Sequence, residues 1–246
     1  MYDKINQTAE YIKQHTAIRP TTAVILGSGL GNFADNIEIE TRIAYKDIPN
    51  FPLSTVKGHK GELLFGKIGD KQLVCMQGRF HYYEGYSMQQ VTFPIRVFKA
   101  LGVELLIVTN ASGAVNPAYQ VGDIMLINDH INLMPNPLIG PNDERLGTRF
   151  PSMSTIYDKK LLQQAHEIAK VRNITLQEGV YVGTSGPSFE TPAEYKFFRT
   201  IGADTVGMST VPEVIVASHS QMRVFGMSVI SNVFKETDIA DCTHEE

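Results

Sequence analysis

Residues 183–219 contain two strand–turn–helix units in succession, and this repetition constrains the fold of the chain more than any other feature. In each unit an apolar segment runs into a turn of small residues, and the turn opens into a helix with a Thr-x-x-Glu start. Thr191 and Glu194 provide that start in the first unit, and Thr210 and Glu213 provide it in the second. Because Thr and Glu at this spacing form a capping box, we expect both pairs to cap their helices.

Polar and aromatic residues occupy the turns just before these two helix starts. Phe189 and Glu190 precede the first helix, and Met208 and Ser209 precede the second. Residues that follow a strand in an α/β sheet line the crevice where ligands bind. Ordinary strand-to-helix turns also use Gly, Ser, Thr and Pro, so each turn alone has a purely structural interpretation. The two turns together, with an acid and an aromatic beside one of them, favour a ligand site.

The composition of the chain excludes several classes of function. Of its 246 residues, 43% are hydrophobic and 20% are charged, which is typical of a globular protein with a large core. A net charge of −4 and the absence of Lys/Arg clusters argue against nucleic acid as a partner. No apolar run approaches the ~20 residues that span a bilayer, and the N-terminal residues lack a signal-peptide core. We therefore expect a cytoplasmic protein with no membrane partner.

Cysteine and histidine spacing gives no sign of a metal site. Cys75 and Cys242 stand far apart in the sequence, and we expect both to be free thiols. The seven histidines show no His-x-x-x-His pattern, and the cysteines show no Cys-x-x-Cys pattern. The sequence therefore predicts no bound metal.

Strand and helix patterns alternate along the chain, which predicts a single α/β domain with a mixed central β-sheet flanked by helices. The near-continuous apolar run at residues 104–110 implies a strand buried on both faces. Helical patterns are expected at 3–16, 87–101 and 158–171, besides the two helices described above. Further strands are expected at 23–26, 63–68, 72–76, 123–128, 178–183 and 224–231.

A glycine-rich turn follows the first predicted strand, with the sequence GSGLG at residues 27–31. Glycines there let backbone N–H groups approach an anion, and Ser28 adds a hydroxyl donor. The turn does not complete a dinucleotide fingerprint, because Asn32 occupies the position of the third glycine. A phosphate-binding nest and a structural tight turn are both open interpretations.

The segment QGRFHYYEGY at residues 77–86 concentrates a cation, an imidazole, phenols and a carboxylate. Arg79 and His81 are two residues apart, so in an extended chain their side chains point the same way and could share an anion. Arginine is suited to bidentate phosphate recognition. A single arginine or histidine is more often a surface charge or a bystander, so this is a hypothesis that needs a second observation.

Seven motifs in this order resemble the low-molecular-mass, trimeric class of purine nucleoside phosphorylases, from about residue 20 onward. They are GSGLG (27–31), GHKG (58–61), QGRFHYYEGY (77–86), TNASG (109–113), GPSFETPAE (186–194), GMSTVPEVIVA (207–217) and SN (231–232). The resemblance implies reversible phosphorolysis of purine nucleosides to free base and (deoxy)ribose 1-phosphate. It also implies a homotrimer with no metal or organic cofactor, in which inorganic phosphate is a co-substrate.

The resemblance also assigns roles to individual residues. The implied phosphate-binding residues are Ser28, His59, Arg79, His81, Ala111 through its backbone N–H, and Ser209. The implied nucleoside-binding residues are Tyr83, Phe150, Phe189, Glu190, Met208, Asn232 and His244. Within these sets Asn232, Glu190 and His81 are the implied catalytic residues, and Phe150 is implied to reach the ribose pocket of a neighbouring subunit.

The assigned residues fit the chemistry of breaking an N-glycosidic bond. Positive charge develops on the sugar and negative charge on the departing purine, as in an oxocarbenium-like transition state. Asn232 could donate toward N7 of the leaving base, and Glu190 could accept from N1–H, which predicts a preference for 6-oxopurines over adenosine. A structural role for Glu190, as a negative charge at a helix N-terminus, is the alternative.

Two features depart from the family pattern. Val233 follows Asn232, where some members have Lys or Thr. The sequence ends shortly after His244, so residues 1–246 are expected to form one phosphorylase domain without the family's long C-terminal helix.

Three alternative functions are kept open by the sequence. A methylthioadenosine phosphorylase would typically carry Asp where this chain has Asn232. A nucleoside-binding protein without turnover is suggested by the short C-terminus. A nicotinamide-dependent dehydrogenase built around residues 27–31 is disfavoured by the incomplete fingerprint.

Overall fold

The computed structural model describes residues 1–53, 55 and 60–234, and these residues form nine strands and six α-helices. The strands are β1 (Thr22–Leu26), β2 (Glu38–Ala44), β3 (Glu62–Ile68), β4 (Lys71–Gln77), β5 (Leu105–Ala114), β6 (Ile124–Asn132), β7 (Leu176–Gly183), β8 (Thr205–Gly207) and β9 (Arg223–Val233). The helices are α1 (Tyr2–His15), α2 (Met88–Val91), α3 (Phe93–Ala100), α4 (Lys159–Arg172), α5 (Pro192–Thr200) and α6 (Val211–His219).

The described strands form one mixed sheet, half of which closes on itself. Strand β5 pairs with β9, β9 with β6, β6 with β7, β7 with β8, and β8 again with β5. Strands β1, β4, β3 and β2 extend the sheet from the other edge of β5. Strand β5 is therefore the seam between an open sheet and a closed ring, which explains why its apolar residues are covered on both sides.

The geometry of β5 and β8 determines where a ligand site can lie. The two strands are antiparallel and pair through Gly113 with Val206 and Ala114 with Thr205, at the carboxyl end of β5 and the first two residues of the three-residue strand β8. Strand β9 runs parallel to β5 along its whole length. The carboxyl ends of two oppositely directed sets of strands therefore meet at one place, and the turns that follow them face a common space.

Helix α6 is buried on nearly all of its surface, because its sequence is apolar around the whole helix. Val211, Val214 and Ile215 are among its buried residues, and it contacts α3 and β9. A helix that is apolar all round belongs in the interior of a protein. Each buried Val or Ile contributes about 1.5–3 kcal/mol relative to an exposed one, so this helix is fixed firmly beside the sheet.

The predicted fold class is confirmed, and three local expectations need correction. The helix expected at 87–101 is two helices, because the chain turns at Thr92, just before Pro94 in the first turn of α3. Strand β2 was not predicted, since it is an edge strand whose only buried residue is Ile43. Strand β5 continues past residue 110 through the small residues 111–114, because β9 and β8 supply its hydrogen-bond partners.

Cys75 is a free, buried cysteine whose thiol pKa is raised to about 12 by burial, whereas Cys242 lies outside the described residues. None of the helices in the described part of the chain has the length and apolar character needed to cross a bilayer.

Candidate active site

A cavity of about 670 Å³ lies where the carboxyl ends of the strands meet. The turns or ends of β1, β4, β5, β7, β8 and β9 all contribute to its lining. The predicted site residues among them are Ser28, Arg79, His81, Tyr83, Ala111, Phe189, Glu190, Met208, Ser209 and Asn232. The fold thus brings into one space residues as far apart in the sequence as Ser28 and Asn232.

Three predicted site residues are not part of this described lining. Phe150 is 86% exposed and lies on the segment between β6 and α4. His59 and His244 lie outside the described residues. In the described part of the chain, no group of three or more His, Cys, Asp and Glu side chains is arranged to hold a metal ion.

The glycine-rich turn after β1 is pressed against β5. A Cβ atom on Gly27 would lie 2.6 Å from Asn110 Cα, so only glycine fits there. The Gly27 N–H donates to Thr109 Oγ1 at 3.0 Å. This close approach brings Ser28 and Gly29 to the same wall of the cavity as Ala111. The turn is tight because it packs against β5, and it also lines the cavity; phosphate binding by this turn stays a prediction.

Arg79 is the charged centre of one end of the cavity and is only 2% exposed. Its Nε and Nη2 atoms lie 3.0 and 2.9 Å from Glu213 Oε1, and Nη1 donates to the Thr109 carbonyl at 2.7 Å. These contacts fix the plane of the guanidinium. A buried arginine needs such a partner, because an isolated buried charge is very costly.

His81 and Glu84 form a second pair at the same end. Glu84 accepts from the His81 backbone N–H at 2.7 Å and from the Thr55 N–H at 2.9 Å, and His81 Nδ1 lies 3.0 Å from its Oε1. Burial raises the pKa of Glu84, but hydrogen bonds from His81 and Thr55 outweigh it and lower the pKa to about 2. Because a carboxylate only accepts, His81 Nδ1 carries a proton and Nε2 is the acceptor of the neutral ring.

Burial also lowers the pKa of His81, against the opposing effect of the Glu84 hydrogen bond. The neutral imidazole is therefore favoured more strongly than in a histidine with the ordinary pKa of 6.5. The ring of Tyr83 stacks on His81 with centroids 4.7 Å apart, which fixes the orientation of both rings beside the cavity.

The turn before α6 is strained, and it does not form the capping box that the sequence predicts. Thr210 has φ 70° and ψ −55°, and the Val211 N–H donates to the Ser209 carbonyl at 2.7 Å. These are the features of a γ-turn with positive φ, a rare conformation for a β-branched residue. The Thr210 side chain makes no cap hydrogen bond to α6, and Glu213 pairs with Arg79 instead.

A buried polar network holds this strained turn against the sheet. Asn110 Nδ2 donates to Thr210 Oγ1 at 2.8 Å, and Ser228 Oγ donates to Asn110 Oδ1. Ser228 Oγ is in turn hydrogen-bonded to Ser112 Oγ. Strain at a single residue persists only where the surroundings determine it, and it is typical of ligand sites. Here it places Ser209 in the wall of the cavity.

The turn before α5 behaves as the sequence predicts. Thr191 Oγ1 accepts from the Glu194 N–H at 3.2 Å, and the Thr191 N–H donates to Glu194 Oε2 at 2.7 Å. This complete capping box fixes the helix start, so the position of Glu190 just before it is also fixed.

The other end of the cavity combines Glu190, Phe189 and Asn232. Burial raises the pKa of Glu190, although hydrogen bonds from Tyr195 and Thr184 oppose that shift. Phe189 is 46% exposed, which places an aromatic ring at the rim. A Cβ atom on Gly113 would lie 3.2 Å from Asn232 Nδ2, so the glycine leaves room for the amide. A carboxylate, an amide and an aromatic ring form a set suited to a flat heterocycle.

The roles of Glu84, Glu213 and Tyr195 were not predicted: Glu84 and Tyr195 line the cavity, and Glu213 holds Arg79 from behind it. Glu84 stands three residues after His81, and that spacing was the available signal. Glu213 was interpreted as a cap, and its true partner is 134 residues away in sequence. Tyr195 is on the buried face of α5, so its sequence position is that of an ordinary core residue.

Comparison with known proteins identifies the family. The model of the phosphorylase superfamily matches residues 21–246. Purine nucleoside phosphorylase 1 of Bacillus subtilis is 58% identical over 94% of this chain and 86% of its own length. The purine nucleoside phosphorylase of Rattus norvegicus is 52% identical over 100% of this chain and 88% of its own.

Solved structures of purine nucleoside phosphorylases match the fold of this chain along nearly its whole length. The Schistosoma mansoni purine nucleoside phosphorylase, determined with adenosine, has a TM-score of 0.94 and 42% identity, covering 99% of this chain and 88% of the other. A Schistosoma purine nucleoside phosphorylase in complex with hypoxanthine gives a TM-score of 0.93, with 42% identity over 99% of this chain and 89% of the other. The chain therefore belongs to the phosphorylase superfamily and, within it, to the purine nucleoside phosphorylases.

Proposed function

We propose that this purine nucleoside phosphorylase cleaves inosine, guanosine and their deoxy forms with inorganic phosphate, reversibly, to free base and (deoxy)ribose 1-phosphate. The observation that carries the proposal is that one cavity presents the guanidinium of Arg79 and the imidazole of His81 at one end, and Glu190 and Asn232 at the other. A nucleoside between these ends would have its sugar carbon next to the anion.

At the end formed by Arg79 and His81 the protein orients phosphate through aligned hydrogen-bond donors. Arg79, Ser28, Ser209 and the Ala111 N–H would donate to phosphate oxygens, and neutral His81 would accept a hydrogen bond at Nε2 from the protonated phosphate oxygen, with no proton transferred. Because Glu213 neutralises part of the charge of Arg79, the site is a set of aligned donors rather than a strong positive field. A phosphate oxygen forms a bond to C1′ while the C1′–N9 bond breaks, and the bond pair moves onto the purine.

At the other end the protein receives the departing base. Asn232 would donate toward N7, where electron density arrives, and ionised Glu190 would accept from N1–H and from an exocyclic amine. Adenine has an acceptor at N1, so it would leave Glu190 without its donor, and such mismatches cost up to about 10⁴-fold in discrimination. The Schistosoma mansoni protein was solved in complex with adenosine, and this describes what that protein binds, not what this chain cleaves. Asn232 argues against methylthioadenosine as the substrate. Arg79 and His81, each held in place by a carboxylate, favour catalytic turnover over simple nucleoside binding.

The enzyme is proposed to be a cytoplasmic homotrimer, and the exposed ring of Phe150 supports a contact between its subunits. The segment of Phe150 is held by Arg149, which donates to the Leu138 and Gly140 carbonyls at 3.2 and 2.9 Å. An aromatic ring that is 86% exposed on a held segment is suited to completing the ribose pocket of another subunit. Tyr83 and Met208 would contact the ribose from this subunit. His59 and His244 remain predicted ligands of phosphate and the ribose, and no cofactor besides the phosphate co-substrate is proposed.

The proposal is tested by following hypoxanthine release from inosine with and without phosphate, after dialysis against EDTA. Phosphate-dependent release from inosine, with adenosine and methylthioadenosine at least about 100-fold slower, is expected. Equal release without phosphate, or faster cleavage of methylthioadenosine, would overturn it. Asn232→Ala should lower kcat/KM by about 100-fold or more, with Val233→Ala as the neighbouring control.

The trimer is tested by light scattering, with three chain masses expected. Phe150→Ala should raise the KM for inosine, whereas Val171→Ala, an equally exposed apolar change on α4, should not. A monomer with full activity, or equal effects of the two variants, would contradict the shared site.

A further inference from the structure

Tyr195 brings a phenol hydroxyl to the base-recognition end of the cavity from a position inside the core. It lies in the first half of α5 and is only 6% exposed. Its ring belongs to a buried cluster with Val182, Phe198 and Val206. It also stacks on Phe234, with centroids 4.4 Å apart and planes 9° apart. The ring is therefore fixed on both faces, and the hydroxyl has one available direction.

The hydroxyl lies between the two groups proposed to read the purine. It is hydrogen-bonded to the Glu190 carboxyl group. A Cβ atom on Gly113 would lie 3.5 Å from Tyr195 Oη and 3.2 Å from Asn232 Nδ2, so the hydroxyl and the amide flank the same glycine. Tyr195 also lines the cavity itself. Packing alone does not require the hydroxyl of Tyr195, because phenylalanine would fill the same volume.

We propose that Tyr195 is a positioning residue for base recognition: its hydroxyl donates to Glu190 and fixes that carboxylate as an acceptor facing the purine edge. This inference rests on the proposed role of Glu190. A carboxylate can only accept hydrogen bonds, whereas a carboxylic acid can also donate one. An ionised Glu190 selects a base with N1–H, while a protonated Glu190 could donate to N1 of adenine. Tyr195 thus enforces the choice between 6-oxo and 6-amino purines.

The electrostatic surroundings of Glu190 make this hydroxyl important. Burial raises the pKa of Glu190, and the negative charge of Glu194 raises it further. The opposing groups are its own backbone N–H, Tyr195 and Thr184. Removing the Tyr195 donor would shift the balance toward the protonated form, because a hydrogen bond to the charged form of an acid favours that form.

The capping box of α5 explains why the geometry is reliable. Thr191 and Glu194 satisfy each other across the first turn, and the Tyr195 N–H donates to the Thr191 carbonyl at 3.1 Å. Glu190 and Tyr195 stand on either side of this turn, so their separation is set by backbone hydrogen bonds. The Glu190 carboxylate is therefore already oriented before the substrate binds.

The test compares Tyr195→Phe with Tyr119→Phe across pH 5–9. Tyr119 also loses a hydrogen-bonded hydroxyl, which donates to the Glu178 carbonyl at 3.1 Å, but it does not line the described cavity. Tyr195→Phe should lower kcat/KM for inosine by about tenfold and the inosine-to-adenosine ratio by about tenfold. The acid limb of its inosine profile should move to higher pH by about one unit, with the KM for phosphate within about twofold.

A double-mutant cycle separates positioning from general damage. In a Glu190→Gln background the residue at 190 has no charge to titrate, so adding Tyr195→Phe should leave the pH profile unchanged. An unchanged profile and selectivity in Tyr195→Phe, or equal losses for phosphate and inosine, would overturn the role of Tyr195. Absence of phosphate-dependent cleavage in the unmodified chain would instead overturn the proposed function, so the two failures are distinguishable.

Discussion

The turns before α5 and α6 contain the same residue types and use them differently. Before α5, Thr191 and Glu194 hydrogen-bond to each other's backbone and cap the helix. Before α6, Thr210 accepts from Asn110 on β5, and Glu213 pairs with Arg79 beyond β4. The first turn is stabilised locally, so Glu190 beside it is free to serve as a ligand. The second is stabilised by tertiary contacts, and its polar groups shape the cavity themselves.

The burial of the two helices explains this difference. Helix α5 buries only Tyr195 and Phe198, so its start is near solvent and needs its own cap. Helix α6 is packed between α3 and the sheet, where polar side chains from other elements are within reach. A buried glutamate there must find a charged partner, and Arg79 is that partner.

The largest expected effect comes from removing the carboxylate at the start of α6. Glu213→Ala leaves the buried guanidinium of Arg79 without its partner, and the loss of such a partner costs about 3–5 kcal/mol. Urea unfolding should show this loss. The corresponding change in the other turn, Glu194→Ala, should cost about 1 kcal/mol or less, because that carboxylate is at the surface. Equal losses in the two variants would mean that both glutamates act as caps.

A smaller effect is expected from the two threonines. Thr210→Ala removes the acceptor of a buried Asn110 amide and should cost about 1–3 kcal/mol. Thr191→Ala should cost about 1 kcal/mol, as for other N-cap residues. Thermal unfolding measures both. Only Thr210→Ala should also raise the KM for phosphate, since it releases the turn that carries Ser209; a rise in both variants would contradict the distinction.

The smallest expected effect is the pH dependence of the capping box. Hydrogen bonds from the Thr191 backbone and side chain lower the pKa of Glu194 below its ordinary 4.5. A lowered folded-state pKa stabilises the fold above the unfolded pKa, and this stability is lost as the pH falls through the folded value. The difference in unfolding free energy between the wild type and Glu194→Ala should therefore shrink between pH 6 and pH 3. A difference in unfolding free energy that stays constant with pH would show that the charge of Glu194 does not contribute to the stability of the capping box.

The fold and the turns around the cavity could be predicted from local patterns in the sequence, whereas Tyr83, Ala111 and Asn232 were expected there only from the resemblance to the family. Apolar periodicity indicates the strands, and the cap residues indicate where α5 begins. Partners that are distant in sequence leave no local signal. Glu213 has the spacing of a cap, and only the folded chain shows that Arg79, 134 residues away, takes its carboxylate. Tyr195 has the position of a core residue, and its hydroxyl becomes informative only once Glu190 is seen beside it.

The central claim is that one cavity separates phosphate recognition from base recognition, and a crossed measurement of two KM values tests it most directly. Ser209→Ala should raise the KM for phosphate by about tenfold and leave that for inosine within about twofold. Glu190→Gln should raise the KM for inosine by at least about tenfold and leave that for phosphate within about twofold. Equal increases in both constants in either variant, or the reverse assignment, would contradict the account.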